Sequence, residues 1–179
     1  LKWFRDNFFL EEMQTAKGMG VDPYYLMDRQ AERAPIGANR LVYLPYLMGE
    51  RSPKLDSDCR GVFFGLSAMH TKYDMLRAVM EGVIYSQREC LDILRGMGVV
   101  SSEMLACGGG GSSPMWRQMM ADVYNLPVKT VVSKEGPALG VAILAGVGAG
   151  IYSSVAEACR KVVKTNPAQA PIPENTGRY

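Results

Sequence analysis

From residue 104 to residue 149, short apolar runs and segments of helical period take turns, with glycine at the junctions; this alternation limits the fold more than any other feature of the chain. The runs 104–107 and 128–132 are too short for helices and read as strands, while 115–125 and 138–149 carry helical spacing. Strand, helix, strand and helix in that order predict parallel strands joined by right-handed crossovers, hence an α/β fold. Open parallel sheets take ligands at the carboxyl ends of their strands, so the strand-to-helix turns are where a site is expected.

Upstream of this unit the pattern predicts a helix over about 1–15 and a second opened by Asp22 and Pro23 and closed before Pro35. An apolar run at 41–44, an irregular segment at 45–60 and a strand-like run at 62–64 follow. The longest helix carries Met75, Leu76, Val79, Met80, Val83, Ile84, Leu91 and Leu94 at helical spacing, with a capping box in Thr71 and Asp74 and a stop at Gly98. A last helix over about 155–163 starts with a second capping box, Ser154 and Glu157. The chain is long enough for one buried core, so 1–165 is expected to form one domain, and the Pro-rich tail 166–179 is expected to be loose.

Composition excludes several classes. With 47% hydrophobic and 21% charged residues and a formal net charge of +2, nothing indicates disorder or a polybasic nucleic-acid arm, and the expected partner is a small molecule. Four scattered cysteines and one histidine spell neither a zinc site nor a disulfide framework and suit a reduced, cytoplasmic compartment. The uncharged stretch 136–156 is long enough for a bilayer. Pro137, its glycines and the pair Ser153, Ser154 make it a poor lipid-facing helix, whereas small residues suit a helix pressed against a sheet, so no membrane partner is expected.

The sharpest local feature is Ala106-Cys107-Gly108-Gly109-Gly110-Gly111-Ser112-Ser113-Pro114. Glycines allow positive φ and close backbone approach, and the following helix offers unpaired N–H groups and the positive end of its dipole. Such a turn can cradle a phosphate or an adenosine edge, or simply connect strand to helix. It is neither a P-loop, lacking Gly-Lys-Ser/Thr, nor a G-x-G-x-x-G fingerprint. A second turn, Glu135-Gly136-Pro137-Ala138-Leu139-Gly140, is expected at the same sheet edge.

Taken together these residues resemble the FGGY carbohydrate kinases. Gly61-Val-Phe-Phe-Gly-Leu66, seven residues, then Asp74-Met75-x-x-Ala78-Val79-Met80-Glu81 fits the family's C-terminal signature. Leu44-Pro45-Tyr46-Leu47-Met48-Gly49-Glu50-Arg51-Ser52-Pro53, the run Gly108 to Gln118 followed by Ala121-Asp122, and the turn Glu135 to Gly140 are similar to motifs of its xylulokinase branch. The resemblance implies the C-terminal part of an actin-like ATPase (ribonuclease H-like) fold, a mixed sheet with packed helices. It also implies ATP and Mg2+ as cofactors, a ketose substrate, most closely D-xylulose, with L-ribulose, L-fuculose and sedoheptulose as alternatives, and an N-terminal kinase domain as partner.

On this resemblance Gly108, Gly109 and Ser113 fall near adenosine, Gly110, Gly111 and Ser112 shape the turn, and Glu50 and Arg51 face the interdomain cleft. For Arg51 a phosphate contact and an ion pair with Glu50 or Asp56 are both open. Asp74 is read as a helix cap, Glu81 as a packing or cleft hydrogen bond, His70 as a surface residue, Trp116 as a helix anchor and the methionines as core filler. No D-x-G-T loop and no catalytic aspartate matching the family is present, so the chain alone is expected to turn over no sugar, and first strands of the sheet are expected to be missing, leaving an apolar face uncovered. A non-catalytic adenine-nucleotide-binding or assembly module is the other reading; a homodimer is compatible with both.

Overall fold

The computed structural model describes residues 1–133 and 136–179. The chain opens with α1 (Lys2–Phe8) and α2 (Leu10–Met19), two helices where one was expected. Phe9 breaks them with non-helical backbone, φ −127° and ψ 35°. On one straight helix Phe4 and Phe9 would diverge by roughly 140°; the break lets both bury completely. Next, α3 (Pro23–Ala31) starts as read, with Asp22 accepting from the Tyr24 N–H at 2.9 Å.

Two short strands, β1 (Val42–Leu44) and β2 (Val62–Phe64), pair antiparallel with Tyr43 opposite Phe63. Tyr43 and Phe63 turn inward to the aromatic cluster around Phe4, while Val42, Leu44, Val62 and Phe64 leave the opposite face apolar and uncovered. The long helix α4 (Lys72–Gly96) lies against β1. Its glycine allows that approach: a Cβ on Gly82 would sit 2.1 Å from the Tyr43 carbonyl oxygen. The Thr71–Asp74 capping box is present in both directions, and Leu76, Met80 and Ile84 carry the core with Met27 and Leu41.

The second half holds β3 (Met104–Ala106), α5 (Pro114–Tyr124), β4 (Val128–Thr130) and α6 (Gly136–Gly148). The strands pair in parallel with Leu105 opposite Lys129, as the alternation requires. Among the described residues β1–β2 and β3–β4 form two separate two-stranded sheets, so the mixed sheet is in two pieces. After α6 comes α7 (Val155–Val162). Ser154 caps it by accepting from the Glu157 N–H, but the Glu157 carboxylate reaches back to the N–H of Ser153 rather than Ser154.

The tail is not loose. Gln169 bridges Val128, so the segment runs along the free edge of β4, and Asn166 donates to the Thr130 carbonyl. Asp122, buried on α5, accepts from the Ile172 N–H and from Asn175 of α8 (Pro173–Thr176), each at 2.8 Å. The Tyr179 hydroxyl reaches the Arg77–Glu81 pair on α4. A buried carboxylate must be satisfied by hydrogen bonds, and here the strap supplies them. No helix of the described residues is long and apolar enough to cross a membrane.

Candidate functional site

The carboxyl ends of β3 and β4 lead into the two turns that the sequence singles out, and a groove of about 580 Å³ opens between them. It is lined by Cys107, Gly108, Gly109, Gly111 and Ser112 on one side and by 130–133, Gly136 and Pro137 on the other, with Arg117 and Asn166 at its borders. Volume alone does not set it apart, since a surface groove beside Tyr85 on α4 measures about 560 Å³. Its place at the ends of parallel strands does. Glu135 of the second turn lies outside the described residues.

Local hydrogen bonding fixes the glycine turn. Gly108 takes positive φ, 78°, and the backbone then closes a 3-10 turn in which the Gly111 N–H donates to the Gly108 carbonyl at 3.1 Å. A Cβ on Gly108 or Gly109 would meet no atom of the described residues within 4 Å, so packing does not demand glycine at either position, whereas the positive φ does at Gly108. Gly110 and Gly111 differ. A Cβ there would fall 2.8 Å from the Trp116 ring or 3.0 Å from the Ala106 carbonyl oxygen, so these two glycines serve packing.

The Ser113 hydroxyl caps α5, accepting from the Trp116 N–H at 3.0 Å. Trp116 in turn donates from its indole to the Met80 carbonyl at 3.1 Å, anchoring α5 on α4 as the sequence suggests. Behind the turn, burial raises the Asp28 carboxyl above the usual carboxylate range, with the nearby Ser113 hydroxyl opposing that rise. Sequence reasoning missed Arg117, whose Nη1 donates to the Gly111 carbonyl at 2.5 Å. Its signal was its place in the motif run Gly108 to Gln118, one turn into the helix that follows the glycines, to which no role was given.

Glu50 and Arg51 do not line this groove; they lie on the loop between β1 and β2. Glu50 is buried and accepts from the N–H groups of Lys54 and Leu55 at 2.7 and 2.9 Å, folding the loop onto itself. The ion pair considered for Arg51 is absent: the Glu50 carboxylate is taken up by backbone, Asp56 accepts from the Asp58 N–H, and Arg51 stands exposed. Asp74 caps α4, and burial, which alone would raise its carboxyl, is outweighed by hydrogen bonds from Thr71 and Asn39, which hold it below the usual range. His70 bridges Ser67 and the Asn39 carbonyl near the surface. Among the described residues no group of three or more His, Cys, Asp or Glu side chains is placed to hold a metal ion.

Comparison with known proteins gives a consistent result. The family model described as the FGGY family of carbohydrate kinases, C-terminal domain, matches residues 1–149. The chain is 35% identical over 179 residues to the xylulose kinase of Bacillus subtilis (strain 168), covering 100% of this chain and 34% of that protein. It is 38% identical over 186 aligned positions to the gluconokinase of Bacillus licheniformis, covering 100% of this chain and 35% of that one. The solved structure of ligand-bound xylulose kinase from Lactobacillus acidophilus superposes with a TM-score of 0.85 at 29% identity, over 99% of this chain and 34% of that one. The chain therefore spans about a third of the length of the curated relatives it matches.

Proposed function

The chain belongs to the FGGY family of carbohydrate kinases as a C-terminal domain, with the α/β, actin-like ATPase fold of those kinases, and on that footing we propose that it is the ATP-binding part of an enzyme that phosphorylates a ketose, D-xylulose first. The observation that carries the reading is the open pair Gly108 and Gly109 lining the groove at the carboxyl end of a parallel strand, where a Cβ would meet no atom of the described residues within 4 Å. In this reading Gly108 and Gly109 admit the nucleoside of ATP. Gly110 and Gly111 hold the turn against Trp116 and Ala106, while Ser112 borders the groove and Ser113 fixes the start of α5.

Transfer to a sugar hydroxyl needs a carboxylate to take the hydroxyl proton and donors around the moving phosphoryl group. The proton acceptor is not supplied by the groove, whose described lining contains no carboxylate. We assign it to an N-terminal domain, in keeping with relatives about three times as long. Mg2+, when bound with ATP, neutralises phosphate charge, and the groove offers it no acidic cluster of its own among the described residues. Arg51 and the loop that Glu50 folds are assigned to the sugar-facing cleft, where an exposed guanidinium can meet an anionic group.

Gluconate is the second reading, favoured by the gluconokinase match at 38% identity. A coupled assay of ADP formation by the full-length enzyme, run with D-xylulose, gluconate, L-ribulose, L-fuculose and sedoheptulose, decides between them. Turnover with none of the sugars while ATP still binds saturably would leave the non-catalytic nucleotide-binding module as the reading, and loss of ATP binding as well would leave only an assembly module.

A further inference from the structure

Arg117 is the one charged side chain among the described residues that line the glycine groove. It sits on the second turn of α5, half-buried, and its Nη1 donates to the Gly111 carbonyl at 2.5 Å. Its own N–H meanwhile donates to the Ser113 carbonyl at 3.0 Å, so backbone and side chain of one residue grip both sides of Ser112. Nε and Nη2 make no hydrogen bond among the described residues, and the side chain is not part of an ion pair there.

A turn of four consecutive glycines has more conformational freedom to lose than any other sequence of its length. Two internal backbone bonds, Gly111 to Gly108 and Ser113 to Gly110, restrict it, and the latter is long at 3.3 Å. The guanidinium bond adds the constraint that these lack, because a donor bearing charge binds a carbonyl about twice as strongly as a neutral one. It also places a positive group at the wall of a groove that has no other described charge.

We propose that Arg117 is a positioning residue for nucleotide binding: it locks the Gly111 carbonyl so that Gly108 and Gly109 stay open, and it offers its remaining N–H groups to acceptor atoms of a nucleoside triphosphate. This rests on the reading of the groove as the ATP site. Lysine does not replace it, since an ammonium cannot hold the carbonyl and face the groove with a planar fork of donors.

The test is steady-state kinetics on the full-length enzyme with ATP and sugar varied in turn, together with thermal unfolding. Arg117→Met is expected to raise KM for ATP by about tenfold or more, the scale of one lost charge-assisted hydrogen bond, with KM for the sugar within about twofold. Arg117→Lys is expected to fall between the two, and it carries the test alone if Arg117→Met does not fold. An unchanged KM for ATP in a variant, while the wild type saturates with ATP, overturns this inference and leaves the site reading standing. Equal rises in both KM values with a matching drop in melting temperature would reduce Arg117 to a structural residue and also overturn it. A wild-type enzyme without saturable ATP dependence removes the site reading and this inference together.

Discussion

Arg77 and Glu81 stand one turn apart on α4 with Nε and Oε1 2.8 Å apart, their side chains only 9% and 1% exposed, and the hydroxyl of Tyr179 bonded to both. Each partner is satisfied elsewhere too: Arg77 donates to the Ala34 carbonyl, and Glu81 accepts from the Gly37 N–H at 3.1 Å. Glu81 belongs to the stretch that matches the family signature, and here its carboxylate ties α4 to the Gly37 turn and to Tyr179.

Removing one member of this pair strands the other without water. Glu81→Leu is expected to destabilise by about 3–5 kcal/mol, whereas the double variant Arg77→Met with Glu81→Leu should recover a large part of that loss. Urea titrations of the two variants against wild type check it. A double variant as unstable as the single one would mean that the pair itself, not the abandoned charge, holds the fold.

Gly82 tests the contact between α4 and β1. Within a helix, alanine is favoured over glycine by roughly 1 kcal/mol. At this position a Cβ would lie 2.1 Å from the Tyr43 carbonyl oxygen, and backbone cannot yield as a side-chain tip can. The clash wins, so Gly82→Ala should lower stability by about 2 kcal/mol or more, against the helix-propensity trend. Gly96, near the end of the same helix with nothing within 4 Å, is the control: its alanine variant should be neutral or stabilised.

What the sequence disclosed follows the reach of the interactions concerned. The Asp22 cap and the Thr71–Asp74 box were legible because each depends on neighbours within a few residues. The break at Phe9 was not, because helical period continues through it and only burial of Phe4 beside Phe9 demands it. The docked strap was missed because its partners, Gln118, Asp122 and Glu81, lie on helices far away in sequence. At the candidate site, composition marked the glycine turn and alternation placed it at a strand end. The Glu50 bonds to amide groups and the Arg117 bond to a glycine carbonyl span only four to six residues, yet they depend on how an irregular loop and a glycine turn fold, which residue types alone do not specify.

Helix α7 should respond to acid through Glu157. Hydrogen bonds from Lys161 and Ser153 push its carboxyl down to about 2 from an ordinary 4.5. A depressed folded-state pKa gives stability that is present above the unfolded value and lost as pH falls through the folded one. Amide exchange across 155–162 should therefore accelerate selectively between about pH 4.5 and 2, and Glu157→Gln should abolish that dependence. Exchange in α7 that tracks the rest of the chain over this range would count against a local cap.

The glycine turn offers a pair of substitutions that separate folding from binding. At Gly109 a Cβ would meet no atom of the described residues within 4 Å, so Gly109→Leu should change stability by no more than about 0.5 kcal/mol while its side chain enters the groove. Gly110→Ala drives a methyl to 2.8 Å from the Trp116 ring and should cost about 1–3 kcal/mol by overpacking, with a weaker effect on the groove itself. Thermal unfolding and calorimetric titration with ATP in the full-length enzyme give the two readouts. If Gly109→Leu binds ATP as wild type does, the nucleotide sits elsewhere, because a leucine in that groove and a nucleoside cannot share the same space.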